Sequence, residues 1–126
     1  MYNKKFKKDY NNVKKHINKL MEEFPPIVPI IEKLELANLF AEKKNLDEIE
    51  RLGFFISVLE PHFDQLSNFL DYYRSCISLF DKFLKSYNNY SDGLVDGWMV
   101  VIVTIKYRLS TASDIIEEIR KKAEIL

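Results

Sequence analysis

The second half of the chain keeps an unbroken rhythm of apolar residues spaced alternately three and four apart. Phe63, Leu66, Leu70, Tyr73, Ile77, Phe80, Leu84 and Tyr87 make the first run. Val95, Trp98, Ile102, Ile105, Leu109, Ala112, Ile116, Ile119 and Ala123 make the second. At 3.6 residues per turn, this spacing gathers each run into one stripe along an α-helix. Two long coiled-coil-like stripes joined by a short polar linker bury themselves most simply against each other. The rhythm therefore predicts an all-α bundle.

The first half fits the same class. Phe6, Tyr10, Val13, Ile17, Leu20 and Phe24 stripe a helix from about Asn3 to Glu23. Pro25, Pro26 and Pro29 interrupt it, because proline removes a backbone donor and disfavours helix in the preceding residue. A second helix is predicted to run to about Lys43, with Ile30, Ile31, Leu34, Leu36, Leu39 and Phe40 as its apolar set. Asn45 and Glu48 resemble a capping box that starts a third helix, striped by Leu46, Ile49, Leu52, Ile56 and Leu59. Pro61 kinks or splits that helix, with the boundary at Glu60. Asn88 to Gly93 reads as a loop.

The expected fold is one domain over residues 1–126, an antiparallel bundle of four main helices with the third kinked or split at Pro61. If the Pro25–Pro29 break only bends the chain, three long arms result, a spectrin-like arrangement; this reading ranks second. Residues 100–105 (Val-Val-Ile-Val-Thr-Ile) are almost all β-branched and favour a strand locally. The heptad rhythm passes through them without a slip and favours helix.

Composition narrows the function classes. The chain has 126 residues, 47% hydrophobic and 30% charged, which is globular rather than disordered. Cys76 is the single cysteine, so no intrachain disulfide forms and a reducing compartment, the cytoplasm, fits best. Neither a leader sequence nor a transmembrane segment is predicted. The formal charge is zero but unevenly placed. Residues 1–20 hold seven lysines against one acid, a net +6, and the remainder carries −6.

Four stretches of the sequence bear on function. The outward row of the last helix reads Asp96, Val100, Val103, Tyr107, with Met99 and Val101 alongside. Such a helix must be covered on a second side, either by another helix of the chain or by a second copy or partner protein. Val100, Val103 and Tyr107, with Trp98 as aromatic anchor, are the interface candidates. The first helix carries Lys4, Lys5, Lys8, Lys15 and Lys19 off its stripe, candidates for contacting an anion such as nucleic-acid phosphate. Arginine, the better reader of phosphate and base edges, is absent there. Metal chemistry lacks its motif: Val13 and Leu59 stand where a Glu-x-x-His pair would need glutamates before His16 and His62. Cys76 is flanked by Phe69, Phe80 and Phe83 and reads as a small buried hydrophobe. Glu117/Lys121 and Glu118/Lys122 read as supporting surface pairs. No catalytic constellation, metal or cofactor is predicted. The expected function is protein–protein interaction, by self-association as a homodimer or with a partner. A nucleic-acid accessory role through the first helix is the alternative.

Overall fold

The computed structural model describes residues 4–88, 90 and 92–125, the last two by backbone alone. Of the sequence readings, the start of the first helix at Asn3 and the loop residues Asn89 and Ser91 lie outside the described residues. Among the described residues there are five α-helices: α1 (Lys4–Glu23), α2 (Val28–Lys44), α3 (Glu48–Leu59), α4 (Phe63–Ser86) and α5 (Gly93–Ile125). Single 3₁₀ turns, Pro25–Ile27 and Glu60–His62, join α1 to α2 and α3 to α4. None of the described residues is in a strand.

The expected count of four main helices is corrected by the backbone at the prolines. Phe24 and Val28 keep right-handed helical dihedrals on either side of Pro25–Ile27. The ladder tightens there instead of ending: the Ile27 N–H donates to the Phe24 carbonyl at 2.8 Å, and the Val28 N–H donates to that of Pro25. A 3₁₀ turn does not use the donors that Pro25 and Pro26 lack. Buried Ile27 pins the elbow to the core. Pro61 is absorbed likewise, with Leu59, Glu60 and Phe63 all helical and only His62 displaced, to φ −118° and ψ 3°. Three long helices packed antiparallel result: α1 with α2, α3 with α4, and α5 alone. In the first two arms, α1 lies on α4 and α2 on α3, while α5 runs along α2 and α3.

The chain reverses at two places. At the first, Asn45 takes the left-handed conformation, φ 54°. Its N–H reaches the Glu42 carbonyl at 3.2 Å and the Leu46 N–H reaches Ala41 at 3.3 Å, the paired closure of a Schellman ending. Asn45 therefore ends α2 rather than starting α3. The cap of α3 is Asp47, whose carboxylate accepts from the Glu50 N–H at 2.9 Å. At the second reversal the Asp92 carboxylate accepts from the Val95 N–H at 2.8 Å and from the Tyr90 hydroxyl. Those hydrogen bonds hold the Asp92 carboxyl below its ordinary pKa, the Tyr90 bond contributing most.

The buried residues form one cluster running the length of the three arms. On α1 they are Val13, Ile17 and Leu20; on α4 they include Leu66, Leu70, Tyr73 and Phe80, as the stripes predict. On α3 the core residues are Phe55 and Leu59, while Ile49 and Ile56 face outward. The predicted stripe of α3 is therefore rotated. Residues 100–105 are helical, with Ile105 in the core. The glutamates near the C-terminus do not make the expected i,i+4 pairs. Glu118 pairs with Arg51 of α3 at 3.0 Å, Lys122 with Glu48, and Arg120 with Glu117. Arg51 also donates to the Asn38 side chain at 3.1 Å and lies over the Phe55 ring, so one guanidinium ties all three arms.

Candidate interaction surface

The first half of α5 has one face in the core and an apolar face in solvent. Val95, Trp98, Ile105, Leu109 and Ala112 are buried. On the other side Val100 is 64% exposed, Val103 44% and Tyr107 77%, with Met99 beside them at 46%. Among the described residues no helix covers this row, so the alternative in which α1 or α2 packs over it does not hold. The reason lies in the three-arm topology. The arm formed by α1 and α2 packs against one flank of α5, as the Arg108 contacts to Glu32 at 3.7 Å and Glu35 at 3.6 Å show. It leaves the face formed by residues 96, 100, 103 and 107 open.

Trp98 does not join that row. Its ring is 2% exposed and lies 5.2 Å from Tyr10, 6.3 Å from Phe80 and 6.4 Å from Phe83, centroid to centroid. It anchors an aromatic end of the core that also holds Phe6, Tyr87 and Tyr90. The large indole was the best hot-spot candidate in the sequence by residue type. The 3–4 rhythm, which put Trp98 on the core stripe, was the better guide.

A second apolar exterior lies on α2. Leu36 is 65% exposed, Leu39 59% and Phe40 44%. All three belong to the apolar set expected of this helix, whose inward face the sequence spacing does not assign. The core side of α2 is Ile30, Ile31, Leu34, Ala37 and Ala41. The small Ala37 and Ala41 let α2 approach its neighbours closely. The two alanines among larger apolar residues were the available signal for which face turns inward.

Lys4, Lys5, Lys8, Lys15 and Lys19 are all exposed on α1. At 100° per residue they share a sector of about 100° on the helix surface. Lys19 pairs with Glu23 at 3.8 Å and sits over the Tyr72 ring. These lysines lie on the first arm, whereas the exposed row of α5 lies on the third.

The ionisable groups inside the bundle are held in their neutral forms. Burial pushes the Cys76 thiol and the Tyr73 hydroxyl upward. Tyr73 donates to the Ile102 carbonyl at 2.9 Å, and Tyr72 to that of His16 at 3.1 Å. Among the described residues no charged, amide, histidine, serine or threonine side chain is buried, and no group of three or more His, Cys, Asp or Glu is placed to hold a metal ion. None of the described helices is long and apolar enough to cross a membrane. No protein-family model, curated protein or solved structure matches the chain.

Proposed function

We propose that this protein acts through protein–protein association, with the exposed row of α5 as the apolar centre of a self-interface. The carrying observation is the exposure of Val100, Val103 and Tyr107 on a helix whose opposite face is fully engaged in the core. Burying valine and tyrosine side chains gains roughly 25 cal/mol per Å², so the row favours a cover.

Charge placement favours a second copy as that cover. Asp96 lies at the N-terminal end of the row and Lys106 at the edge of its C-terminal end, ten residues apart in the sequence. That separation is about 15 Å along the axis. An antiparallel two-fold pairing of α5 with α5, centred at the level of residue 101, sets each Asp96 at the height of the partner copy's Lys106. The apolar row then meets itself between two opposite-charge pairs, an isologous contact with a polar rim. Val100→Glu together with Val103→Glu should make the protein monomeric with its helical circular dichroism unchanged, because both side chains already stand in solvent. Loss of helicity in that variant would show the row to be structural and remove the proposal's support.

A second reading rests on the lysine sector of α1, which suits neutralisation of nucleic-acid phosphates. It predicts weak binding to duplex or single-stranded DNA that falls steeply with salt. Lys4→Glu, Lys5→Glu and Lys8→Glu together should abolish that binding. No binding at low salt would refute it.

A further inference from the structure

Between α2 and α3 the surface opens into an apolar groove of about 630 Å³. One wall is the α2 ridge of Leu36, Leu39 and Phe40; the other is Phe54 and Val58 of α3. Phe40 and Phe54 meet at 5.0 Å between centroids with their rings tilted by 42°, so the walls form one continuous apolar surface. The ridge residues fall at i, i+3 and i+4, an apolar surface of about one helical turn, with Lys43 following at i+7.

The charges at this groove have one sign. Lys33 and Lys43 line it, one at each end of the ridge, and no carboxylate is among its described lining residues. The acids of α2 nearest Lys33 are turned away: Glu32 and Glu35 both pair with Arg108 on the α5 side. Lys33 meets the His62 ring nitrogen at 3.2 Å, a contact that places no negative charge beside its ammonium.

We infer that the α2–α3 groove docks an amphipathic helix of a second protein, one with apolar anchors at i, i+3/i+4 and i+7 flanked by acidic residues. The walls match an inserted apolar ridge, as in helix-in-groove recognition. The two lysines select its flanking charges and speed encounter. A second copy's α5 row is a poorer occupant, since Lys106 at its edge would meet Lys33 or Lys43. The groove lies on α2 and α3 and shares no residue with the α5 row, so the inference stands whether or not the protein dimerises.

The test uses two fluorescein-labelled 14-residue helical peptides, both with leucine at i, i+4, i+7 and i+11. One carries glutamate at the flanking positions and the other lysine. Anisotropy titrations at low salt should show the glutamate peptide binding about tenfold or more tightly than the lysine peptide. Lys33→Glu with Lys43→Glu should reverse that preference. Leu36→Ser with Leu39→Ser should weaken the glutamate peptide about tenfold while circular dichroism stays unchanged. The Val100→Glu, Val103→Glu variant should bind it as the unsubstituted protein does, which separates this result from the oligomeric state. Equal affinity for the two peptides, a preference that survives charge reversal, or saturation by neither would overturn the inference. So would Leu36- and Leu39-dependent binding to phosphatidylserine vesicles with no peptide binding, which would make the groove a membrane-surface contact.

Discussion

Phe55 and Ile49 carry the largest disagreement between pattern and packing. Both lie on α3; Phe55 is fully buried and Ile49 is 83% exposed. The 3–4 count through Leu46, Ile49, Leu52, Ile56 and Leu59 is sound as a count. But Phe55, four residues before Leu59, offers a second stripe that shares Leu59, and spacing alone does not rank two stripes on a twelve-residue helix. The bulkier set won, because an aromatic ring buries more area than an isoleucine. Phe55→Ala should destabilise the protein by about 3–5 kcal/mol, and Ile49→Ala by less than about 0.5 kcal/mol, in urea denaturation. Comparable losses for both would contradict the observed rotation of α3. Asp92 supplies a pH-dependent term at the same scale. Its folded pKa lies below the ordinary 3.8, because the Tyr90 hydroxyl and backbone N–H groups stabilise the carboxylate. Its contribution is complete above the unfolded value and is lost as pH falls through the folded one. The melting temperature of the protein should exceed that of Asp92→Asn at pH 6, and the gap should shrink as pH falls below the ordinary 3.8. A gap independent of pH would contradict this account.

At the scale of elements, helix existence was legible and helix ends were less so. The long stripes of α1, α4 and α5 hold over several turns, although Phe69, Cys76 and Phe83 of α4 and Ile115 of α5 join the core from beside the predicted stripes and Phe63 stands half-exposed. The break between α2 and α3 was visible, but its chemistry was divided differently: Asn45 closes one helix and Asp47 opens the next. Asn is favoured at both kinds of end, so its type alone does not decide. Asp47→Ala should cost about 1 kcal/mol by loss of the cap. Gly53 lies two turns further on, with nothing within 4 Å of where a Cβ would stand. Gly53→Ala should therefore recover about 0.5–1 kcal/mol, by the helix preference of alanine. Differential scanning calorimetry of the two single variants and their double checks both signs at once.

For the whole molecule, the prolines decided the arm count. In the sequence, Pro25–Pro29 reads first as a stop and second as a bend that gives three arms, the count observed, and Pro61 reads as a kink or split, because each proline forbids a normal i→i+4 bond. A single 3₁₀ turn avoids that requirement, and the buried anchors on both sides of each turn keep the arm continuous. Whether a proline bends or ends a helix depends on those distant contacts, which no local pattern records. The exposed α5 row was legible for the complementary reason. A helix apolar on opposite faces is visible in the sequence, and the three-arm topology supplies only one cover. The α2–α3 groove was not legible, since it depends on how Phe54 of α3 meets Phe40 of α2 across a turn.

The central claim, that the α5 row closes on a second copy, is tested most directly by absolute molar mass. Light scattering over a concentration series at moderate salt should give a mass approaching twice the chain's 15.0 kDa. Val100→Glu with Val103→Glu should return it to a single chain. A mass of one chain at every concentration would contradict the self-interface and leave the row for a different protein.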